Sequence, residues 1–189
     1  MTRPPVHLLA LLAAASVALA ACGGGGDNVA ASAPSDPPVP TPSAAQECPI
    51  AAVEVPAPAG ASTDLGTKPV VAPASAPAPT YLQYSDLVAG SGEQAVTGSQ
   101  VEVKYVGAIY ETGVEFDSSW SRGATETIPF GICQSGVIPG FAVGPSGMKV
   151  GGRRSITIPS PLGYREQGSP PAIPGGATLV FVVDLVKVG

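Results

Sequence analysis

Residues 101–119, VEVKYVGAIYETGVEFDSS, decide the fold. Their first part alternates apolar Val and Tyr with charged Glu and Lys, and this period of two is typical of a strand with one buried face. Glu111-Thr112-Gly113 predicts a turn into a second strand over Val114-Glu115-Phe116. Two strands joined by a Gly-containing turn indicate an antiparallel pair.

Three further segments extend this sheet. Residues 81–88 and 154–158 have strand patterns, and the Gly-rich turn 150–153 precedes the second of them. Residues 177–188, ATLVFVVDLVKV, are almost all apolar, so we expect a central strand that is covered on both faces.

One short helix completes the predicted fold. Pro139 suits the first position of a helix, while Gly144 and Pro145 end it within about two turns. The expected class is therefore α+β: a curved antiparallel β-sheet with one short helix packed on it.

The aromatic residues divide the chain. The four Phe, five Tyr and one Trp all lie at position 81 or later. Because aromatic side chains supply much of a core, we predict the folded domain at 81–189. Residues 23–80 hold 12 Pro and 14 Ala, a composition that is typical of an extended or disordered linker. A linker that binds a proline-recognising partner is the sharper alternative.

Composition excludes several classes of function. The net charge is −5 and only 12% of residues are charged, so the basic surface that nucleic acids require is missing. With one His and three Cys, a His/Cys zinc cluster is not available. Catalysis by a cysteine is also disfavoured, because His7 belongs to a predicted leader and would leave no base to activate a thiol.

Residues 1–21 have the pattern of a secretory signal peptide: Arg3 is followed by an apolar run too short for a bilayer span. A membrane anchor helix is the alternative.

Leu19-Ala20-Ala21-Cys22 resembles a bacterial lipobox, which implies lipidation of Cys22. An ordinary secreted protein is the alternative. We therefore expect a lipid-anchored protein of the cell envelope. Gly23 after the cysteine resembles the Gram-negative sorting pattern for the outer membrane, so in a Gram-negative source we expect the outer membrane, facing the periplasm. Residues 22–80 would be its lipidated linker.

Cys48 and Cys133 remain after lipidation of Cys22. In an oxidising envelope they either form a disulfide or stay as two unpaired thiols, and the sequence leaves both readings open. Residues 48–55, CPIAAVEV, are locally apolar and can dock on the domain.

Seven segments in order resemble the FKBP-type peptidyl-prolyl cis-trans isomerases. They are VKYVG (103–107), G-x-x-FDSS (113–119), Phe130, VIPGF (137–141), GMKVG (147–151) with the strand that follows it, LGY (162–164), and IP (173–174) with the final strand. The resemblance implies catalysed rotation about Xaa-Pro bonds in protein substrates, with no cofactor or metal. The chain has no dimerisation helix, so we expect a monomer.

The resemblance also implies the site residues. An aromatic pocket for the prolyl ring would comprise Tyr105, Phe116, Phe130, Val137, Ile138, Phe141, Tyr164, Ile173 and Phe181, with Asp117 at its wall and Arg122 beside it. The Ile138 N–H and the Tyr164 hydroxyl would donate to substrate carbonyls.

Several roles have alternatives. Asp117 can instead cap the turn at Ser118-Ser119, and Phe181 can be core alone. Departures from the family pattern are Phe141 for Trp, Arg165 for Gly, Ile128 for an aromatic residue, and Pro145 within the helix. Trp120 is expected outside the pocket and half-buried. Because of these departures, a proline-binding module without catalysis and a structural lipoprotein are the rival functions.

Overall fold

The computed structural model describes residues 48–189, and a seven-stranded sheet forms its centre. The strands are β1 (Val53–Glu54), β2 (Gln83–Val88), β3 (Gln100–Ile109), β4 (Glu115–Ser118), β5 (Ile128–Gly131), β6 (Arg153–Ile158) and β7 (Leu179–Val188). Their order is β1-β2-β6-β7-β3-β4, and β5 pairs with the start of β3 beside β4. Every pairing is antiparallel except β1 with β2. The fold class predicted from the sequence is confirmed.

The predicted strands match the structure closely, and two strands were missed. β7 lies between β6 and β3 and is buried from Leu179 to Leu185, as its apolar run predicts. β5 was not predicted because Pro129 interrupts its pattern, and a proline disfavours a strand except at an edge. β1 is two residues long, too short for a periodic signal.

The inner face of the sheet carries the core. Alternate residues of a strand face the same side, so the inner residues of β3, β6 and β7 form one cluster: Val101, Val103, Tyr105, Ile109, Ile156, Ile158, Leu179, Phe181, Val183 and Leu185. The helix α1 (Pro139–Val143) packs on this face, with Pro139 in its first turn and Gly144 as its C-cap. Two 3₁₀ helices, Ser160–Leu162 and Arg165–Gln167, follow β6.

Residues 48–80, which the sequence assigns to the linker, pack on the domain; we call them the strap. Cys48, Ile50 and Ala52 pack against the core, so the docking predicted for residues 48–55 is confirmed, while residues 55–75 lie over the outer face of the sheet. β1 belongs to the strap and runs parallel to β2. Cys48 and Cys133 form a disulfide with Cα atoms 5.6 Å apart. A cleft of about 400 Å³ separates strap residues 55–75 from the outer residues of β6 and β7, among them Val180 and Val182. The structure thus differs from an extended tether over 48–80.

Hydrogen bonds from the Arg153 side chain to the strap backbone explain how a segment without aromatic residues folds here. Arg153 donates to the carbonyls of Ser62, Asp64 and Thr67 at 3.3, 2.8 and 3.1 Å. The strap therefore needs no core of its own, since it uses the sheet as one. The aromatic count tests only for an independent core, so it cannot detect this packing.

The predicted signal peptide, the lipidation site Cys22 and the first part of the linker lie outside the described residues. Between residues 48 and 189, no helix has the length and apolarity to cross a bilayer.

Candidate active site

A pocket of about 450 Å³ lies where α1 faces β3, β4 and β7. We call it the aromatic pocket. Four strands, α1, the loop before α1 and the loop after β6 all contribute to its lining: Tyr105, Phe116, Asp117, Ile128, Gly136, Val137, Ile138, Phe141, Tyr164 and Phe181.

Phe181 is the centre of the aromatic packing. Its ring centroid lies 4.9 Å from that of Phe141, 5.5 Å from that of Phe116 and 6.0 Å from that of Tyr105. The first two pairs are edge-to-face, the arrangement favoured by the ring quadrupoles and worth about 0.5–1.5 kcal/mol per pair beyond burial. The pocket walls are therefore fixed by mutual packing. Phe181 lines the pocket and also belongs to the core cluster, so it is not core alone.

The helix α1 supplies the pocket floor and a free donor. Phe141 is buried and faces Phe181. Ile138 is the N-cap of the helix: its carbonyl accepts from Phe141 and Ala142 at 3.0 Å. Within residues 48–189 the Ile138 N–H has no protein acceptor, as expected for a residue at the start of a helix. This donor remains available to a ligand.

One polar cluster stands at the pocket wall. The Tyr105 hydroxyl donates to Asp117 Oδ2. Asp117 Oδ1 accepts from Arg122 Nη1 at 2.9 Å and from the Ser118 N–H at 2.7 Å. Arg122 Nη2 also lies 3.1 Å from the Tyr105 hydroxyl. Asp117 thus lines the pocket and caps the turn, so its two sequence readings are compatible.

These contacts separate the pKa values of the two acids. Burial raises the pKa of Asp117, but the hydrogen bonds from Tyr105, Ser118 and Arg122 outweigh burial and hold it below its ordinary value. Burial, and then the bond to Asp117, raises the pKa of Tyr105. At neutral pH the carboxylate is charged and the phenol is protonated.

Tyr164 closes one side of the pocket from the loop after β6. Its side chain is partly exposed, and its hydroxyl has no partner within the described residues. The next residue, Arg165, has φ 57°, the left-handed region that favours glycine. This positive φ explains why the family pattern has Gly where this chain has Arg165.

Two residues placed in the pocket by the sequence do not line it. Phe130 is 7% exposed and packs behind Phe141, with centroids 5.0 Å apart. Ile173 is 3% exposed and belongs to the core. Phe130 thus supports the wall from behind through Phe141, whereas Ile173 is placed only in the core cluster. Arg122 acts through Asp117 and Tyr105, without lining the pocket.

The sequence reasoning missed two lining residues. Ile128 had a signal, because the sequence analysis already places it where the family pattern has an aromatic residue. Gly136 has no side chain and gave no signal. Trp120 is half-buried outside the pocket, with Lys104 Nζ 4.6 Å from its ring centroid, as the sequence analysis predicted.

No group of three metal-ligating side chains (His, Cys, Asp or Glu) occurs in the described part of the chain.

The family model for FKBP-type peptidyl-prolyl cis-trans isomerases matches residues 91–186, which include every lining residue of the aromatic pocket. The chain belongs to this family. It is an FKBP-type peptidyl-prolyl isomerase, an enzyme that binds proline-containing polypeptides.

Known members of the FKBP family resemble much of this chain. The probable FK506-binding protein of Corynebacterium glutamicum is 47% identical over 120 residues, which cover 64% of this chain and 98% of that protein. An FK506-binding protein of Neisseria meningitidis is 47% identical over 107 residues, 57% of this chain and 95% of the other. The crystal structure of AtFKBP13 matches with a TM-score of 0.53 at 31% identity and covers 59% of this chain and 96% of that one.

Proposed function

We propose that this isomerase accelerates rotation about Xaa-Pro bonds in extracytoplasmic proteins, with the prolyl ring bound in the aromatic pocket. The observation that carries the proposal is the pocket itself. Its walls are five aromatic rings and several aliphatic side chains, and one fixed carboxylate stands at its edge. A pyrrolidine ring is small, apolar and flat-sided, so it fits walls of this kind.

The reaction requires no bond to break. Resonance in the peptide bond sets a barrier of about 18–20 kcal/mol. An enzyme lowers this barrier by binding the twisted amide better than either planar form. In the proposed mechanism the apolar walls formed by Phe116, Phe141 and Phe181 hold the prolyl ring still and exclude water from the preceding carbonyl while that carbonyl rotates.

Two donors would hold the rest of the substrate. The Ile138 N–H, which lacks a protein acceptor, would donate to the substrate carbonyl that follows proline. The Tyr164 hydroxyl would donate to a second carbonyl. Asp117, kept charged by Tyr105 and Arg122, would act as a fixed charge that orients the twisted amide. Phe130 and Ile173 would support the walls from the core.

We further propose that the enzyme works as a monomer tethered to the envelope membrane through lipidated Cys22, on the outer membrane and facing the periplasm. The signal-peptide pattern of residues 1–21 and the lipobox-like residues 19–22 support the lipid anchor, and Gly23 supports the outer membrane for a Gram-negative source. The Cys48–Cys133 disulfide supports it as well, since disulfides persist in oxidising compartments and are rare in the cytosol.

A proline-limited peptide assay on the full chain tests the activity. Phe116→Ala removes part of a pocket wall, and we expect kcat/KM to fall by about tenfold or more. Val114→Ala is the matched control, because Val114 precedes the same strand but is 60% exposed. Equal kcat/KM for the two variants and the wild type would place the reaction elsewhere.

Lipid labelling tests the location. The wild-type chain should incorporate radiolabelled palmitate and sediment with membranes, while Cys22→Ser should do neither. Incorporation by both, or by neither, would exclude lipidation at Cys22.

A further inference from the structure

Two adjacent arginines of β6 are buried on opposite sides of the sheet. Arg153 is 0% and Arg154 4% exposed, and neighbouring strand residues point to opposite faces. Each forms a two-pronged ion pair. Arg153 binds Asp184 at 2.5 and 2.7 Å, and Arg154 binds Asp86 at 2.7 and 2.9 Å. Their remaining donors differ: those of Arg153 hold the strap, and those of Arg154 hold the segment that follows α1.

Arg154 satisfies carbonyls that the helix cannot satisfy. Its Nη1 donates to Gly144 O at 2.9 Å and to Ser146 O at 2.8 Å. The last carbonyls of a helix have no partner within it. Pro145, between these two carbonyls, has no N–H and ends the helix. The guanidinium therefore replaces the hydrogen bonds that another helical turn would supply, and the Tyr84 ring covers it at 4.1 Å.

The helix lies directly on β6, so a shift at its end moves the whole helix. A Cβ at Gly140 would lie 2.4 Å from Ile158 Cγ2, and one at Gly144 would lie 2.6 Å from Ile156 Cδ1. The two glycines let the backbone of α1 touch the strand. Because α1 has only five residues, it cannot flex along its length to absorb a change at its C-terminal end.

We propose that Arg154 is a positioning residue for the isomerase. By holding the Gly144 and Ser146 carbonyls, it fixes α1 on β6, and so it sets the places of Phe141 at the pocket floor and of the Ile138 N–H. The inference rests on the function proposed for the aromatic pocket. Arg154 itself does not line the pocket, so it acts only through the helix.

Arg153 offers the matched control for the test. It is on the same strand, equally buried and equally paired, but its other partners are the strap residues Ser62, Asp64 and Thr67. The full chain, purified in detergent, is compared as wild type, Arg153→Ala, Arg154→Ala and Arg154→Lys. Thermal unfolding by circular dichroism gives Tm, and a proline-limited peptide assay well below each Tm gives kcat/KM.

We expect both alanine variants to unfold at lower temperature, and only Arg154→Ala to lose kcat/KM, by about tenfold, since small misplacements of site groups are costly. Arg154→Lys should lose a smaller part of kcat/KM. A lysine keeps the positive charge beside Asp86, but it lacks the planar fork that lets arginine bind the carboxylate and the two carbonyls together. The backbone amide resonance of Ile138 should move in both Arg154 variants and stay in place in Arg153→Ala.

Arg154 does not position α1 if Arg154→Lys keeps wild-type kcat/KM and an unchanged Ile138 resonance, or if Arg153→Ala shows the same losses as Arg154→Ala. If Arg154→Ala does not fold, the lysine variant decides. If the wild type itself does not accelerate isomerisation, the proposed function fails, and the Ile138 resonance still reports whether Arg154 sets the helix.

Discussion

Adding one methyl group at Gly107 should disable the aromatic pocket while leaving the sheet intact. Gly107 is in the middle of β3, opposite Phe181 in β7 and Asp117 in β4. A Cβ built there would lie 2.7 Å from Phe116 Cζ and 2.8 Å from Phe181 Cε1. Both atoms belong to pocket walls, so Gly107→Ala forces two rings of the site to move.

The size of the effect follows from these distances. Carbon atoms in contact lie about 3.5–4.0 Å apart, so each ring must retreat by about 1 Å. Overpacking of this kind costs about 1–3 kcal/mol of stability. A misplacement of about 1 Å at a catalytic site can cost about 100-fold in rate. We therefore expect kcat/KM to fall between about tenfold and 100-fold, with a modest loss of stability.

Val106→Ala separates the loss of activity from the loss of stability. Val106 is the neighbouring residue of β3, is buried, and faces the outer side of the sheet. Its truncation leaves a cavity with a stability cost of similar size. Both variants are measured by thermal unfolding and by a proline-limited peptide assay. If Gly107→Ala retains the kcat/KM of Val106→Ala, the positions of Phe116 and Phe181 do not control the reaction.

Further perturbations probe the wall carboxylate, the backbone and the disulfide. Because the pKa of Asp117 is lowered in the folded protein, the stability that this group contributes is complete above the ordinary carboxyl range and is lost only as the pH falls through the lowered pKa. We therefore expect kcat/KM to stay flat from neutral pH down to that acid region. A fall in kcat/KM within the ordinary carboxyl range would contradict this. Asp117→Asn should abolish the acid limb of the profile. Arg165→Gly should raise stability by about 0.5–1 kcal/mol in thermal unfolding, since φ 57° strains an arginine, and no rise would mean that the strain is relieved elsewhere. The pair Cys48→Ser and Cys133→Ser should lower the free energy of unfolding by about 4 kcal/mol in urea titration, because the bridge spans 85 residues; unchanged unfolding would show that the bridge does not constrain the unfolded chain.

Local patterns were enough to predict the centre of the fold. β3, β6 and β7 have clear alternation or apolar runs, and α1 has a proline at its start and Gly-Pro after its end. These signals are written within a few neighbouring residues, so single-sequence reasoning can read them. The aromatic side chains of β3 and β7 then meet on one face, because alternate residues of a strand point to the same side of the sheet.

Beyond the apolar stretch 48–55, the strap could not be predicted in the same way. Its contacts join residues far apart in sequence, such as Ser62 with Arg153 and Lys68 with Glu115 at 2.7 Å. Its composition satisfies the criteria for a linker, because those criteria measure what a segment can bury by itself. A segment that packs on another element and accepts hydrogen bonds from it has no sequence pattern of its own that predicts this packing.

The same limit applies within the site. The family resemblance places Phe130 in the pocket but cannot decide which side of the wall its ring occupies; that depends on Phe141, which packs against it. Gly136 contributes only backbone to the lining, and its φ of 121° is set by the loop as a whole. Fine placement of this kind is a tertiary property.

The protonation states at the pocket constrain the mechanism. Asp117 has a lowered pKa and Tyr105 a raised one, so neither exchanges a proton near neutral pH. Rotation about an amide needs no proton transfer, and a permanent charge beside apolar walls serves it better than a titrating group would. Phe141 in place of a tryptophan is compatible with this chemistry, since the floor contributes shape and dryness. A site that works by fixed geometry depends most on the residues that hold that geometry. Gly107 leaves room for the rings of Phe116 and Phe181, and Arg154 holds the end of α1, although neither residue lines the pocket. We therefore expect these two residues to matter for activity as much as the aromatic rings.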